Sequence, residues 1–189
     1  MDKKKIIFIV FIIVALVQIY VPAKMILDRE DILKTGTEFR FKTAPVDPND
    51  PFRGKFIRLN FEETEIEVED DWVYDETVYI SLSTDDDGFA KIQSASKEKP
   101  IDNKDYVKAK VATSYVVGNT KLTIDYPFDR FYMEESKAGG AEVSYRKSQS
   151  DTNQVTWALV SIKDGEAVLT DVLIDGVSIR ELAEKEEKE

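Results

Sequence analysis

The chain opens on an apolar run and then changes period. Ile6 to Val17 (IIFIVFIIVALV) contains no polar residue, and Gln18, Ile19, Tyr20 and Val21 extend it. A helix packed on a protein surface is apolar along one stripe, whereas this run is apolar on every side. Residues 6–21 rise about 24 Å as a helix, a little short of a ~30 Å hydrocarbon core. Pro22 to Leu27 complete the crossing, with Tyr20 at the interface and Lys24 reaching outward. The reading is a basic stub at 1–5, a transmembrane signal-anchor helix at 6–27 and a helical junction at 28–36. Ala23 to Leu33 reads as helix, with Met25, Ile26, Ile32 and Leu33 apolar and Gly36 as its stop. Lys3, Lys4 and Lys5 place the N-terminus in the cytoplasm and the rest of the chain outside it. The alternative is a signal peptide cleaved near Val21-Pro22-Ala23. Pro22 inside the cleavage motif and a helix running on past it favour the uncleaved anchor.

From Thr37 the period is that of strands. Phe39 to Lys42 alternates, and so does Phe56 to Phe61, with Ile57, Leu59 and Phe61 on one face. Val78–Thr84 and Phe89–Ser94 flank Asp85-Asp86-Asp87-Gly88. Tyr106–Val117 and Lys121–Asp125 flank Gly118-Asn119-Thr120, and Val155–Lys163 and Ala167–Ile174 flank Asp164-Gly165. Turns this short join antiparallel strands only. Ala141–Lys147 reads as a short helix between loops at Gly139-Gly140 and Ser148–Asn153. The charged tail at 179–189 reads as a fraying helix without an apolar stripe. The expected fold is mainly β: one antiparallel domain at 37–178, a sandwich or partly closed barrel, behind an N-terminal membrane helix.

Composition narrows the chemistry. The 189 residues carry a net charge of -11, with neither Cys nor His. Disulfides, thiolate nucleophiles, Ser-His-Asp triads and His- or Cys-ligated metals are excluded. The acidic body disfavours nucleic acid. No cofactor and no metal are expected.

Thr43 to Phe61 (TAPVDPNDPFRGKFIRLNF) is the most constrained stretch. Pro45, Pro48 and Pro51 recur every third residue, and Asp47 and Asp50 each precede a proline, so the chain is stiff up to Arg53-Gly54. This segment resembles the signature of the GDYXXLXY family of bacterial membrane-anchored proteins, P-V-D-P-x-D-x-x-R-G-D-Y-x-x-L-x-Y. Pro45, Val46, Asp47, Pro48, Asp50, Arg53, Gly54 and Leu59 match it. Lys55 stands in place of its Asp, and Phe56 and Phe61 in place of its Tyr. The junction from Val21 to Pro48, the stretch Asp129–Glu135 and the strand Val168–Gly176 are also similar to the family. The resemblance implies no established activity. It implies a membrane complex, because the family's genes commonly lie beside one for a multi-pass membrane protein.

Each candidate site has a plainer reading. Asp47, Asp50 and Arg53, with Arg130 joining them in space, form either a polar site or a structural ion-pair cluster. Asp85, Asp86 and Asp87 lack the alternate-position ligands of a calcium loop and read as a solvated turn. Glu63, Glu65, Glu67 and Glu69 alternate as one wet strand face. Trp72, Tyr74, Tyr79 and Trp157 line a ligand groove or pack in the core. Arg53–Ile57 resembles a stretch of type I signal peptidases, but Met1, Met25 and Met133 do not follow a Ser, so the nucleophile's Ser-Met pair is missing. The leading expectation is a non-enzymatic partner of a multi-pass membrane protein, anchored in the bacterial inner membrane with its domain in the periplasm. The alternative is a hydrolase or ligand-binding domain that uses the loop of Asp47, Asp50 and Arg53.

Overall fold

The structure is a computed structural model that describes residues 3–44, 56–69, 71–101, 105–113, 121–150 and 154–186. Helix α1 runs unbroken from Lys3 to Thr35, with Pro22 inside it. Among the described residues it is the one helix long and apolar enough to cross a membrane. At 33 residues it is about 50 Å long. It ends where predicted: Gly36 N–H donates to the Ile32 carbonyl at 2.9 Å. A Cβ on Gly36 would sit 2.5 Å from that oxygen and 2.9 Å from the Ile162 oxygen.

The strands that follow are β1 (Thr37–Ala44), β2 (Phe56–Arg58), β3 (Asn60–Phe61), β4 (Glu65–Glu67), β5 (Thr77–Thr84), β6 (Ala90–Ser96), β7 (Tyr106–Val111), β8 (Lys121–Asp125) and β9 (Arg130–Tyr132). Then come helix α2 (Glu135–Ser150), β10 (Thr156–Lys163), β11 (Glu166–Ile174), β12 (Val177–Ser178) and helix α3 (Ile179–Glu186). Two five-stranded sheets have the orders β12-β11-β10-β1-β3 and β4-β8-β7-β5-β6, and β2 and β9 form a ribbon of their own. All the paired strands are antiparallel, and the whole includes a nearly closed barrel.

The local turns are those the Asp-Gly pairs specify. Asp164 and Gly165 have φ of 52° and 87°, and Asp175 and Gly176 have 49° and 84°. Two successive positive φ values match the right-handed twist of a tight hairpin. At the β5–β6 turn Asp85 Oδ1 accepts the N–H groups of Asp87 (3.1 Å) and Phe89 (2.8 Å), so this acid shapes the turn.

Glu63 links the two edges of the second sheet. The second sheet ends in β4 on one side and β6 on the other. Glu63, just before β4, accepts the Ile92 N–H of β6 at 3.1 Å and pairs with Lys91 at 3.2 Å. Its carbonyl accepts the Tyr126 hydroxyl at 2.9 Å. Burial pushes that hydroxyl's pKa well above its ordinary value. Glu65 and Glu67 keep the wet face expected of them, while Glu63 is turned into the seam. Inside, Phe41, Phe61, Tyr126 and Phe128 form an aromatic cluster with centroids 5.0–5.8 Å apart.

Two expectations are corrected. The helix expected at 141–147 runs from Glu135 to Ser150 and contains Gly139-Gly140. Gly140 is there for a close approach: a Cβ would lie 2.9 Å from the Ala183 oxygen of α3. The tail is also more than a fraying charged helix. Ile179 and Ala183 are buried and Leu182 is partly so, a stripe at spacings of three and four that seats α3. Lys137 of α2 pairs with Glu184 across the crossing.

Candidate functional site

Pro45, Asp47, Pro48, Asp50, Arg53 and Gly54 lie outside the described residues. Leu59 and Arg130 are described, and they separate. Leu59 is a core residue, 2% exposed, and its N–H donates to the Asp129 carbonyl at 2.7 Å. Arg130 is on the surface, and its strand pairs with the end of the proline-rich signature.

The β2–β9 register is Phe56 opposite Tyr132, Ile57 opposite Phe131 and Arg58 opposite Arg130. Side chains alternate along a strand, so Ile57 and Phe131 are buried together while the other four residues share the outer face. Arginines directly opposite one another repel. Asp129 offsets this: Oδ2 lies 3.5 Å from Arg58 Nε and Oδ1 lies 3.7 Å from Arg130 Nε. The Arg130 guanidinium stands 5.2 Å from the Phe56 ring centroid, and the Phe56 and Tyr132 rings are 5.5 Å apart. Tyr132 is 62% exposed. Beside this face lies a cleft of about 210 Å³, lined by Arg58, Asn60, Thr64, Thr123, Asp125 and Asp129 together with Leu59, Phe61, Ile124 and Tyr126. It is smaller than a typical small-molecule site of about 300–1,000 Å³. Among the described residues no group of three or more acids could hold a metal.

Arg58, Asp129 and Tyr132 were not singled out by sequence reasoning. Phe56-Ile57-Arg58 and Arg130-Phe131-Tyr132 are the same aromatic–apolar–arginine triplet written in opposite directions, which the antiparallel register turns into like facing like.

The second polar cluster joins α1 to the β10–β11 hairpin. Arg29 donates to the Ala167 carbonyl at 2.9 Å and lies 3.7 Å from Glu166. Lys163 donates to Asp31 at 2.6 Å and to the Thr35 hydroxyl at 2.7 Å. Lys163 also holds the Asp31 carboxyl below its ordinary pKa, first through that hydrogen bond. Ile32 is buried between these contacts, and every described residue of α1 before it is exposed except Ala15, which is half-buried. At the hairpin tip, Gly165 accepts the Lys108 N–H at 2.9 Å, which ties the two sheets together.

The four aromatics weighed as a groove go to separate places. Trp72 is buried under Lys97, Tyr74 is exposed, Tyr79 stands against Tyr106 and Trp157 against Phe89. A buried chain of hydroxyls, Thr156 to Ser148 at 3.0 Å and Ser148 to the Tyr145 carbonyl at 2.8 Å, fastens α2 to β10. Burial pushes the Tyr145 hydroxyl up to about 12.

No curated protein and no solved structure matches the chain. A family model, the GDYXXLXY protein, matches residues 18–172. That match takes in the second half of α1, the ribbon with its two arginines and the hairpin that grips the helix, and the chain belongs to the GDYXXLXY family.

Proposed function

We propose that the chain is a single-pass membrane protein of the bacterial inner membrane. Its β domain lies in the periplasm and serves as a non-enzymatic accessory to a multi-pass membrane protein. The observation that carries this reading is the grip on α1. Arg29, Asp31, Ile32 and Thr35 meet the β10–β11 hairpin immediately beyond the apolar segment. A helix held this way gives the domain a fixed attitude above the bilayer instead of a tether. A fixed attitude suits a module that must present one face to a membrane neighbour. The outer face of the β2–β9 ribbon suits such a contact, since arginine and tyrosine are enriched where partners bind. The lysines ahead of the helix support a cytoplasmic N-terminus.

The test is a reporter active only outside the cytoplasm, fused after Glu189. It should be active, and a multi-pass membrane protein should co-purify with the full chain from detergent-solubilised membranes. Activity of a cytoplasmic reporter at the same position would overturn the topology. The second reading, a ligand-binding or hydrolytic domain, is favoured by the cleft that Arg58 and Asp129 help to line. It requires that small polar ligands shift the melting temperature of the chain and that Asp129→Asn abolish the shift.

A further inference from the structure

We propose that the loops 71–76 and 97–101, at one end of the second sheet, rest in the lipid headgroup layer, with Val73, Tyr74 and Ile101 reaching the acyl boundary. The inference rests on the reading that α1 spans the membrane.

Beyond α1, the three most exposed large hydrophobic side chains among the described residues are Ile101 (97%), Tyr74 (67%) and Val73 (66%). Lys97 joins the two loops that carry them. Its ammonium donates to the Asp71 carbonyl at 2.6 Å, lies 3.4 Å from Glu76 and stands 5.0 Å from the Trp72 ring centroid. A single exposed apolar residue is ordinary on any surface, whereas three gathered at one end of a sheet point to an interface.

The topology fixes which way that end faces. The β10–β11 hairpin runs down α1 toward the apolar segment: Ile162 abuts Gly36, Lys163 reaches Thr35 and Asp31, and Glu166 and Ala167 meet Arg29. In the other direction β10 leads up to Trp157, opposite Lys42. The second sheet follows the same axis. Its β5–β6 turn is at the level of Trp157, where the Phe89 ring lies 5.9 Å from Trp157 and 4.4 Å from the Lys42 ammonium. Tyr106, opposite Ser81 of β5, is at the hairpin tip, against Gly165. From Ser81, β5 extends away from its turn as far as Thr77, a step of up to about 13 Å. Tyr79 pairs with Ser96, so both loops lie at the Thr77 end. They are on the bilayer side of the hairpin tip.

The bilayer begins at that level. Met25, Ile26 and Leu27 are 64–68% exposed, and three successive helical residues look out over about 200°. The domain leaves them uncovered, so lipid surrounds them. Lys24 donates upward to Asp28 at 2.5 Å, as a lysine at the hydrocarbon edge does. Arg29, the lowest contact of the hairpin, is about 3 Å above Leu27. Loops that pass the tip on this side enter the headgroups, which reach about 5–8 Å beyond the hydrocarbon. Tyrosine suits the interface, and isoleucine and valine suit the acyl boundary. Lys110 and Lys97 pair with Asp75 and Glu76, which neutralises two acids where they would meet anionic lipid.

The chain has no Cys, so a fluorophore can be attached at single sites of the full chain. The chain is placed in nanodiscs of phosphatidylethanolamine and phosphatidylglycerol with no second membrane protein present. Labels at Ile101→Cys and Lys99→Cys should lose most of their fluorescence to nitroxide lipids. A label at Asp86→Cys, in the turn at the far end of the sheet, should lose almost none. Adding Ile101→Asp should restore most of the signal at Lys99→Cys, and Ile101 is exposed, so the change leaves the core intact. Equal quenching at Asp86→Cys, none at Ile101→Cys, or quenching at Lys99→Cys indifferent to Ile101→Asp would overturn the proposal. So would a label at Ile101→Cys that stays wet in pure lipid and is shielded only in nanodiscs made from native membranes, since that assigns the loops to a protein neighbour. A label at Ile13→Cys separates the two levels. Failure of nitroxides deep in the acyl chains to quench it defeats the spanning reading and this inference together. Quenching there with a wet Ile101→Cys label defeats this inference alone.

Discussion

The latch that joins α1 to the β10–β11 hairpin and the outer face of the β2–β9 ribbon have similar ingredients and different consequences. At the latch, Lys163 sits between Asp31 and Thr35, Arg29 reaches a main-chain carbonyl, and an apolar residue, Ile32, is buried among them. At the ribbon, two arginines share one aspartate, and their neighbour Tyr132 stays exposed. The first cluster brackets buried apolar surface and joins two elements. The second decorates a face whose apolar residues, Ile57 and Phe131, are already buried on the other side. The difference teaches where to expect stability and where to expect contact. Ions that surround a buried side chain report on folding, and ions on an outer strand face contribute little to it.

The sharpest way to break this comparison is at the latch hairpin. Gly165 combines a φ of 87° with a Cβ position 2.5 Å from the Tyr106 ring. Gly165→Ala should cost about 2–4 kcal/mol from backbone strain and overpacking together. Calorimetry of the full chain in detergent should then show a fall of at least about 4–8 °C. Ile32→Ala comes next. Removing a buried Ile side chain costs about 2–5 kcal/mol in a closed core, and this site at a helix–hairpin joint belongs at the lower end. Protease sensitivity should rise at the 28–36 junction before it rises within the sheets.

Acid should loosen the latch by a smaller amount. At the latch the Lys163 hydrogen bond holds Asp31 below its ordinary value of 3.8, and away from it, in the turn before β5, the Val73 N–H holds Glu76 below its ordinary value of 4.5. A lowered carboxyl contributes stability that is fully present above its unfolded pKa and is lost as pH falls through the folded one. Melting temperature should therefore decline below about pH 4, and Asp31→Asn should flatten part of that decline. A limb unchanged in Asp31→Asn would remove this residue from the latch. The smallest effect on stability belongs to the ribbon. Arg130→Ala should change it by about 0–1 kcal/mol, because the side chain is half-exposed and its ion pair is long. The same change should reduce recovery of the proposed membrane partner. A large loss of stability would show that the ribbon is as structural as the latch.

How far the sequence was legible depends on how local each signal is. The hairpins at Asp85–Gly88 and Asp164-Gly165 were readable because a turn and its flanking strands lie within twenty residues. The pairings β1–β10 and β2–β9 were not, since nothing local states which distant strand shares an edge. Gly139-Gly140 misled for a physical reason. Glycine lowers helix propensity, but Gly140 is required by the contact with Ala183. In α3 the charges drew attention from Ile179, Leu182 and Ala183, whose burial depends on α2 being present. The proline-rich stretch was the strongest signal in the chain, yet only the strand end of its signature, from Phe56 on, falls among the described residues.

The central claim is that the domain is fixed to its helix at a set angle above the membrane. Because the chain has no Cys, spin labels can be placed cleanly at Leu27→Cys on α1 and Lys108→Cys on β7, with the full chain in bilayer nanodiscs. Pulsed dipolar spectroscopy should give one narrow distance distribution. Adding Ile32→Ala and Lys163→Ala should broaden it. A broad distribution in the otherwise native chain would contradict the account, because it would make the helix a tether and the latch an incidental contact.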